Sequence, residues 1–134
     1  MEKNICIIPL RSKSKGLKNK NIKKINKIPL CMFAISETIK SNIFEKIFIA
    51  IDDKKYENLI LKYLKFLKIK KKKIIFFYRS KKSSTDIAQT EIVLKEVIRK
   101  NKKYKNCFLI QVTSPLLLYS DIQNSNKILK KGYD

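Results

Sequence analysis

Short apolar runs of strand length alternate with helix-period segments along this chain, and that alternation restricts the fold more than any other feature. Residues 4–10 (Asn-Ile-Cys-Ile-Ile-Pro-Leu) form a continuous apolar run, as a strand buried on both faces does. Residues 46–51, 74–78 and 107–112 repeat the pattern. Between these runs the apolar spacing becomes helical. Pro29 opens one such stretch, with Leu30, Phe33, Ala34, Ile35 and Ile39 behind it. Tyr56, Leu59, Ile60, Tyr63, Leu64 and Leu67 mark the next, with Asp52 or Asp53 as its cap. Ile92, Val93, Val97 and Ile98 place a third apolar face, and Ser120 or Asp121 starts a last helix. Strands joined by helices of crossover length pair in parallel through right-handed connections. The predicted fold is an open, mainly parallel, Rossmann-like α/β sheet with helices on both faces. Residues 1–134 read as a single nucleotide-binding domain. Gly132 reads as a helix C-cap leading towards another strand, so the domain is expected to be incomplete at its C-terminus.

Composition then narrows the class. A hydrophobic content of 44% suits a globular chain. No apolar run approaches the roughly 20 residues that cross a bilayer, and the start lacks the features of a signal peptide. The expectation is a soluble cytoplasmic protein. Cys6, Cys31 and Cys107 are odd in number and sit in apolar stretches, which predicts buried, reduced thiols. The chain has no histidine, which excludes His-dependent catalysis and the usual zinc site. The net charge of +21 comes almost wholly from lysine, the only arginines being Arg11, Arg79 and Arg99. Lysine, isoleucine and asparagine enriched together fit an AT-rich genome as well as a polyanionic partner. Nucleic-acid recognition leans on arginine and exposed aromatic platforms, so the charge alone is weak evidence.

In an open parallel sheet, ligands bind beyond the carboxyl ends of the strands. The loops there are residues 11–21, 51–54, 79–89 and 111–115. The first carries Ser12, Ser14, Lys15, Gly16, Lys18, Lys20 and Asn21. Lysines, hydroxyls and a glycine open to close backbone approach are the parts of a phosphate cradle, although the spacing of a Walker A loop is absent. Arg11 and Arg79 fall directly after strands one and three, and a guanidinium grips phosphate in a fork that lysine cannot copy.

Residues 8–21 (Ile-Pro-Leu-Arg-Ser-Lys-Ser-Lys-Gly-Leu-Lys-Asn-Lys-Asn) strongly resemble the N-terminal signature of the acylneuraminate cytidylyltransferases. Lys27-Ile28-Pro29-Leu30 looks like that family's Gly-Lys-Pro-Leu segment. Arg79 with Asp86, and Gln111-Val112-Thr113-Ser114-Pro115-Leu116, resemble two further motifs in the expected order. The resemblance covers the N-terminal portion of the family only, and implies a fold of nucleotide-diphosphosugar transferase type. It implies that Arg11, Ser14, Lys15, Gly16, Lys20 and Asn21 bind the triphosphate and base of CTP, with Arg79 and Thr90 helping to hold the nucleotide. Lys20 and Arg11 would be the catalytic cations, Lys20 stabilising charge on the α-phosphate as pyrophosphate leaves. Gln111, Thr113 and Ser114 would face an acidic, nine-carbon-type sugar. The implied reaction moves CMP from CTP to the anomeric hydroxyl of a sialic-acid-like 2-keto-3-deoxy sugar acid. Mg2+ would be the cofactor, with its ligands beyond Asp134, and the full-length protein would be a homodimer.

Some residues depart from the resemblance. Lys13 stands where a small or polar residue is usual, Val112 replaces a proline and Leu117 replaces an arginine. The loop at 80–85 also differs. The family's C-terminal half, with its Asp-x-Asp metal pair, has no counterpart here, and Asp52, Asp53 and Asp86 read as a cap, a loop residue and a structural contact. Three other readings therefore stand beside the first: a relative that uses GTP, an inactive truncated remnant, and a basic nucleic-acid-binding module.

Overall fold

β-branched residues dominate the apolar runs, and their stiff side chains suit a pleated, doubly covered sheet. The computed structural model describes residues 3–12, 19–71, 73–80 and 90–132. In chain order the elements are β1 (Asn4–Pro9), a 3-10 turn (Lys20–Ile22), β2 (Lys24–Ile25), β3 (Ile28–Pro29) and α1 (Leu30–Ser41). They continue with β4 (Lys46–Ile51), α2 (Lys54–Phe66), β5 (Ile74–Tyr78), α3 (Thr90–Lys100), β6 (Asn106–Leu109) and α4 (Tyr119–Lys130).

Four strands form one sheet in the order β5-β4-β1-β6, every neighbouring pair parallel. The predicted open parallel sheet is therefore the observed one. Alternate residues of β1 and β4 feed two separate cores. Cys6, Ile8, Ile47, Ile49 and Ile51 pack beneath α1, α2 and α4, with Met32, Ile35, Tyr56, Ile60 and Ile122 facing them. On the other side, Ile5, Ile7, Phe48 and Ala50 meet Val93 and Val97 of α3. Only that narrow stripe of α3 reaches the sheet, so Ile98, expected on the same buried face, is 43% exposed.

The strand at the β6 edge is shorter than expected. The apolar run suggested residues 107–112, but pairing covers Asn106–Leu109 and closes with the Ile110 N–H donating to Ile7 O at 3.0 Å. Pro9 lacks the N–H that would carry the ladder further. Edge position also corrects the reading of Cys107, which is exposed because it points to the side that α3 leaves uncovered, as does Leu109. Cys6 and Cys31 are buried as expected. Burial pushes the Cys31 thiol up to about 12 and holds Cys6 well above its usual value. Partial desolvation raises Cys107 as well. A disulfide-exchange reagent should accordingly titrate one thiol per native chain, slowly, and all three after denaturation. Two fast native thiols would contradict this packing.

At the amino end of the sheet three side-chain amides interlock. Asn4 Nδ2 donates to Asn126 Oδ1 at 3.1 Å and to Ile43 O at 3.3 Å, and Asn106 Nδ2 donates to Asn4 Oδ1 at 2.8 Å. The cluster joins β1, β6 and α4, and Asn4 is fully buried. The last helix starts one residue earlier than expected, at Tyr119, and Asp121 accepts the Leu118 N–H at 3.0 Å from within its first turn. Among the described residues, no helix is long and apolar enough to cross a membrane.

Candidate active site

The chain leaves β1 towards β4 and β5, then returns through α3 to β6 on the opposite side of β1. Connections diverge at that point, so a crevice opens above the carboxyl ends of β1 and β6. A cleft of about 180 Å³ lies there. Pro9 and Arg11 line it from the end of β1, Gln111, Val112 and Thr113 from the end of β6. Lys20 and Asn21 reach it from the 3-10 turn, Arg79 from the end of β5, and Thr90 from the start of α3.

Of the residues singled out in the sequence, Arg11, Lys20, Asn21, Arg79, Thr90, Gln111 and Thr113 thus share one cavity. Ser114 does not; it lines an adjoining groove with Leu117 and Asp121, between β6 and α4. Ser14, Lys15 and Gly16 lie outside the described residues, as do Lys13 and Asp86.

Several of these residues sit on anchored backbone. The 3-10 turn is tied down by Ile22, which packs on the core beside α1, and begins after Asn19 in the left-handed region (φ 55). Asn21 is buried and its Nδ2 donates to Arg11 O at 3.2 Å. Arg79 extends the sheet ladder, its N–H donating to Ile51 O at 2.8 Å. The residue as a whole is only 9% exposed. Burial lowers the Arg79 pKa, an effect opposed by Asp52 and Glu96 and reinforced by Arg11. It remains a cation at neutral pH. α3 adds its positive end, since Thr90 is its first residue. Among the described residues, the lining therefore combines three cations, a helix amino end and several neutral hydrogen-bonding groups, and includes no acidic side chain. That arrangement suits a polyphosphate beside a polar heterocycle or sugar.

The profile of the cytidylyltransferase family matches residues 5–134. The chain belongs to the cytidylyltransferase family. It is 34% identical to an N-acylneuraminate cytidylyltransferase of Streptococcus agalactiae over 85% of its own length, which is 26% of that protein. A pseudaminic acid cytidylyltransferase of Campylobacter jejuni is 32% identical over 98% of the chain and 52% of the relative. The chain thus spans about half the length, or less, of these curated relatives. Among solved structures, a CMP:2-keto-3-deoxy-manno-octonic acid synthetase in complex with CTP superimposes with a TM-score of 0.73 at 18% identity. It covers 97% of this chain and 48% of that one, and at this identity the likeness speaks for the fold.

Within this cytidylyltransferase chain, sequence reasoning missed one residue near the site. It left Asp52 and Asp53 as interchangeable caps. Asp53 is the cap of α2, accepting the Lys55 N–H at 2.9 Å. Asp52 instead turns back to β1, and both its carboxylate oxygens accept the Ser12 N–H, at 2.9 and 3.2 Å. The available signal was position, since Asp52 directly follows β4 on the ligand edge of the sheet. Among the described residues, no three His, Cys, Asp or Glu side chains group as a metal site.

Proposed function

We propose that the cleft binds CTP and that the whole protein transfers CMP to the anomeric hydroxyl of a sialic-acid-like 2-keto-3-deoxy sugar acid. The observation that carries this reading is the convergence of Arg11, Lys20 and Arg79 on one cavity in a chain of the cytidylyltransferase family. The sugar hydroxyl attacks the α-phosphorus of CTP in line with the departing pyrophosphate, and loses its proton to solvent. Lys20 and Arg11 offset the charge that builds on the phosphoryl oxygens. Arg79, fixed by burial and by Asp52, holds the triphosphate, and Thr90 sits beside base and ribose. Gln111 and Thr113 orient the sugar acid on the opposite wall, with Ser114 in the groove next to them. Most of the rate gain comes from positioning and charge neutralisation rather than from a covalent step on the protein.

A divalent cation such as Mg2+ would neutralise part of the triphosphate. The cationic lining that the described residues form does not suit such an ion. The unpaired thiols of Cys6, Cys31 and Cys107 fit action in a reducing cytoplasm. Calorimetric titration of the chain with CTP, GTP and UTP tests the reading. CTP should bind, and GTP and UTP should compete poorly. Preference for GTP would reassign the base, while steeply salt-dependent binding of nucleic acid with no mononucleotide preference would overturn the proposal.

A further inference from the structure

We infer that Asp52 and Asn21 act as positioning residues by clamping the single peptide unit between Arg11 and Ser12. This inference rests on the CTP reading of the cleft. The carbonyl of that unit belongs to Arg11 and accepts from Asn21 Nδ2 at 3.2 Å. Its N–H belongs to Ser12 and donates to both oxygens of Asp52, at 2.9 and 3.2 Å. A peptide unit is planar, so holding both of its polar ends fixes the orientation of the whole plane. That sets the ψ of Arg11 and the φ of Ser12 together. One step earlier the backbone is already fixed, because the Leu10 N–H donates to Ala50 O at 2.7 Å. Arg11 is thereby held on both sides, so the backbone fixes the direction in which its Cα–Cβ bond leaves the strand end beside the cleft.

Capping does not account for Asp52, since Asp53 fills that role in α2. The carboxylate has a second function in the same place. It is the largest favourable charge acting on the buried Arg79 guanidinium, against the repulsion of Arg11. One acidic side chain therefore orients one cleft arginine through the backbone and steadies the other through its field.

The test uses the full chain and pairs CTP titration with amide hydrogen exchange at Ser12. Asp52→Ala should speed Ser12 exchange at least tenfold, leave Leu10 protected, and weaken CTP binding about tenfold, equivalent to about 1.4 kcal/mol. Asp52→Asn keeps an acceptor but no charge; it should retain Ser12 protection and lose less affinity, and it serves if the alanine variant folds poorly. Asp53→Ala is the control. It removes the α2 cap and should lower Tm by a few degrees, with Ser12 exchange and CTP affinity unchanged. Unaltered Ser12 exchange in Asp52→Ala overturns the clamp. Unaltered CTP affinity in that variant, or an equal affinity loss in Asp53→Ala, overturns the positioning role. Failure of the unmodified chain to bind CTP would sink the nucleotide reading and the positioning role with it, while Ser12 exchange still decides the clamp by itself.

Discussion

Replacing Arg11 with alanine is expected to weaken CTP binding about 10- to 100-fold. Arg11 comes from the end of the central strand and enters a cleft that already holds Lys20 and Arg79. Hydrogen bonds to a charged group contribute about 1.5–3 kcal/mol each, which sets this range. Arg11→Lys should recover only part of the loss, because an ammonium gives one point of contact where a guanidinium gives a planar fork. The dependence of affinity on salt should also flatten, since one fewer charge meets the triphosphate. Calorimetry on the two variants at two ionic strengths measures all of this. If Arg11→Ala binds CTP as tightly as the unmodified chain, the assignment of the cleft is wrong.

The largest effect on stability is expected from Ile49→Ala, at about 2–5 kcal/mol. Ile49 lies in β4, paired with Ile8 of β1 on one side and Phe76 of β5 on the other. It is fully buried under α1 and α2. Truncation removes three carbons from a site that strands on both sides prevent from collapsing, so transfer and cavity terms add. Domains are commonly stable by only about 5–15 kcal/mol, so the variant should unfold at much lower urea concentration with an unchanged slope. Ile98→Ala gives the contrast. That side chain is 43% exposed on α3, and its loss should cost under about 1 kcal/mol. Equal losses at the two positions would contradict the burial of Ile49 and the exposure of Ile98.

How much of this was legible in the sequence depended on the range of the interaction. The apolar runs of β1, β4 and β5 announced themselves because a strand buried on both faces leaves no polar alternation. Arg11 and Arg79 could be placed on the ligand edge once those strands were found. The hairpin of β2 and β3 was not visible. Its turn residues, Asn26 and Lys27, both have positive φ (50 and 68), the geometry of a type I′ turn. Lysine gives no hint of that geometry, and strands of two residues have no period to read. The exposure of Cys107 depended on strand order, which puts β6 at an edge; local sequence carries no such information. Ser114 was grouped with Thr113 through the resemblance of the 111–116 segment, yet it lines the groove beside α4. The choice between Asp52 and Asp53 was likewise a tertiary matter, decided by how closely the end of β4 approaches Ser12.

The interlocked amides of Asn4, Asn106 and Asn126 have a consequence for fidelity of assembly. Isoleucine ladders attract one another in almost any alignment, and a slip of one residue would still bury apolar surface on a doubly covered strand. Amides do not tolerate such a slip. Moving β1 past β6 by one position would carry the Asn4 carboxamide away from Asn106 and Asn126, stranding buried donors and acceptors at about 1–3 kcal/mol each. In a sheet made of nearly interchangeable greasy strands, three asparagines at its base act as an index mark, so that the same alignment brings Arg11 and Gln111 to facing walls of the cleft above.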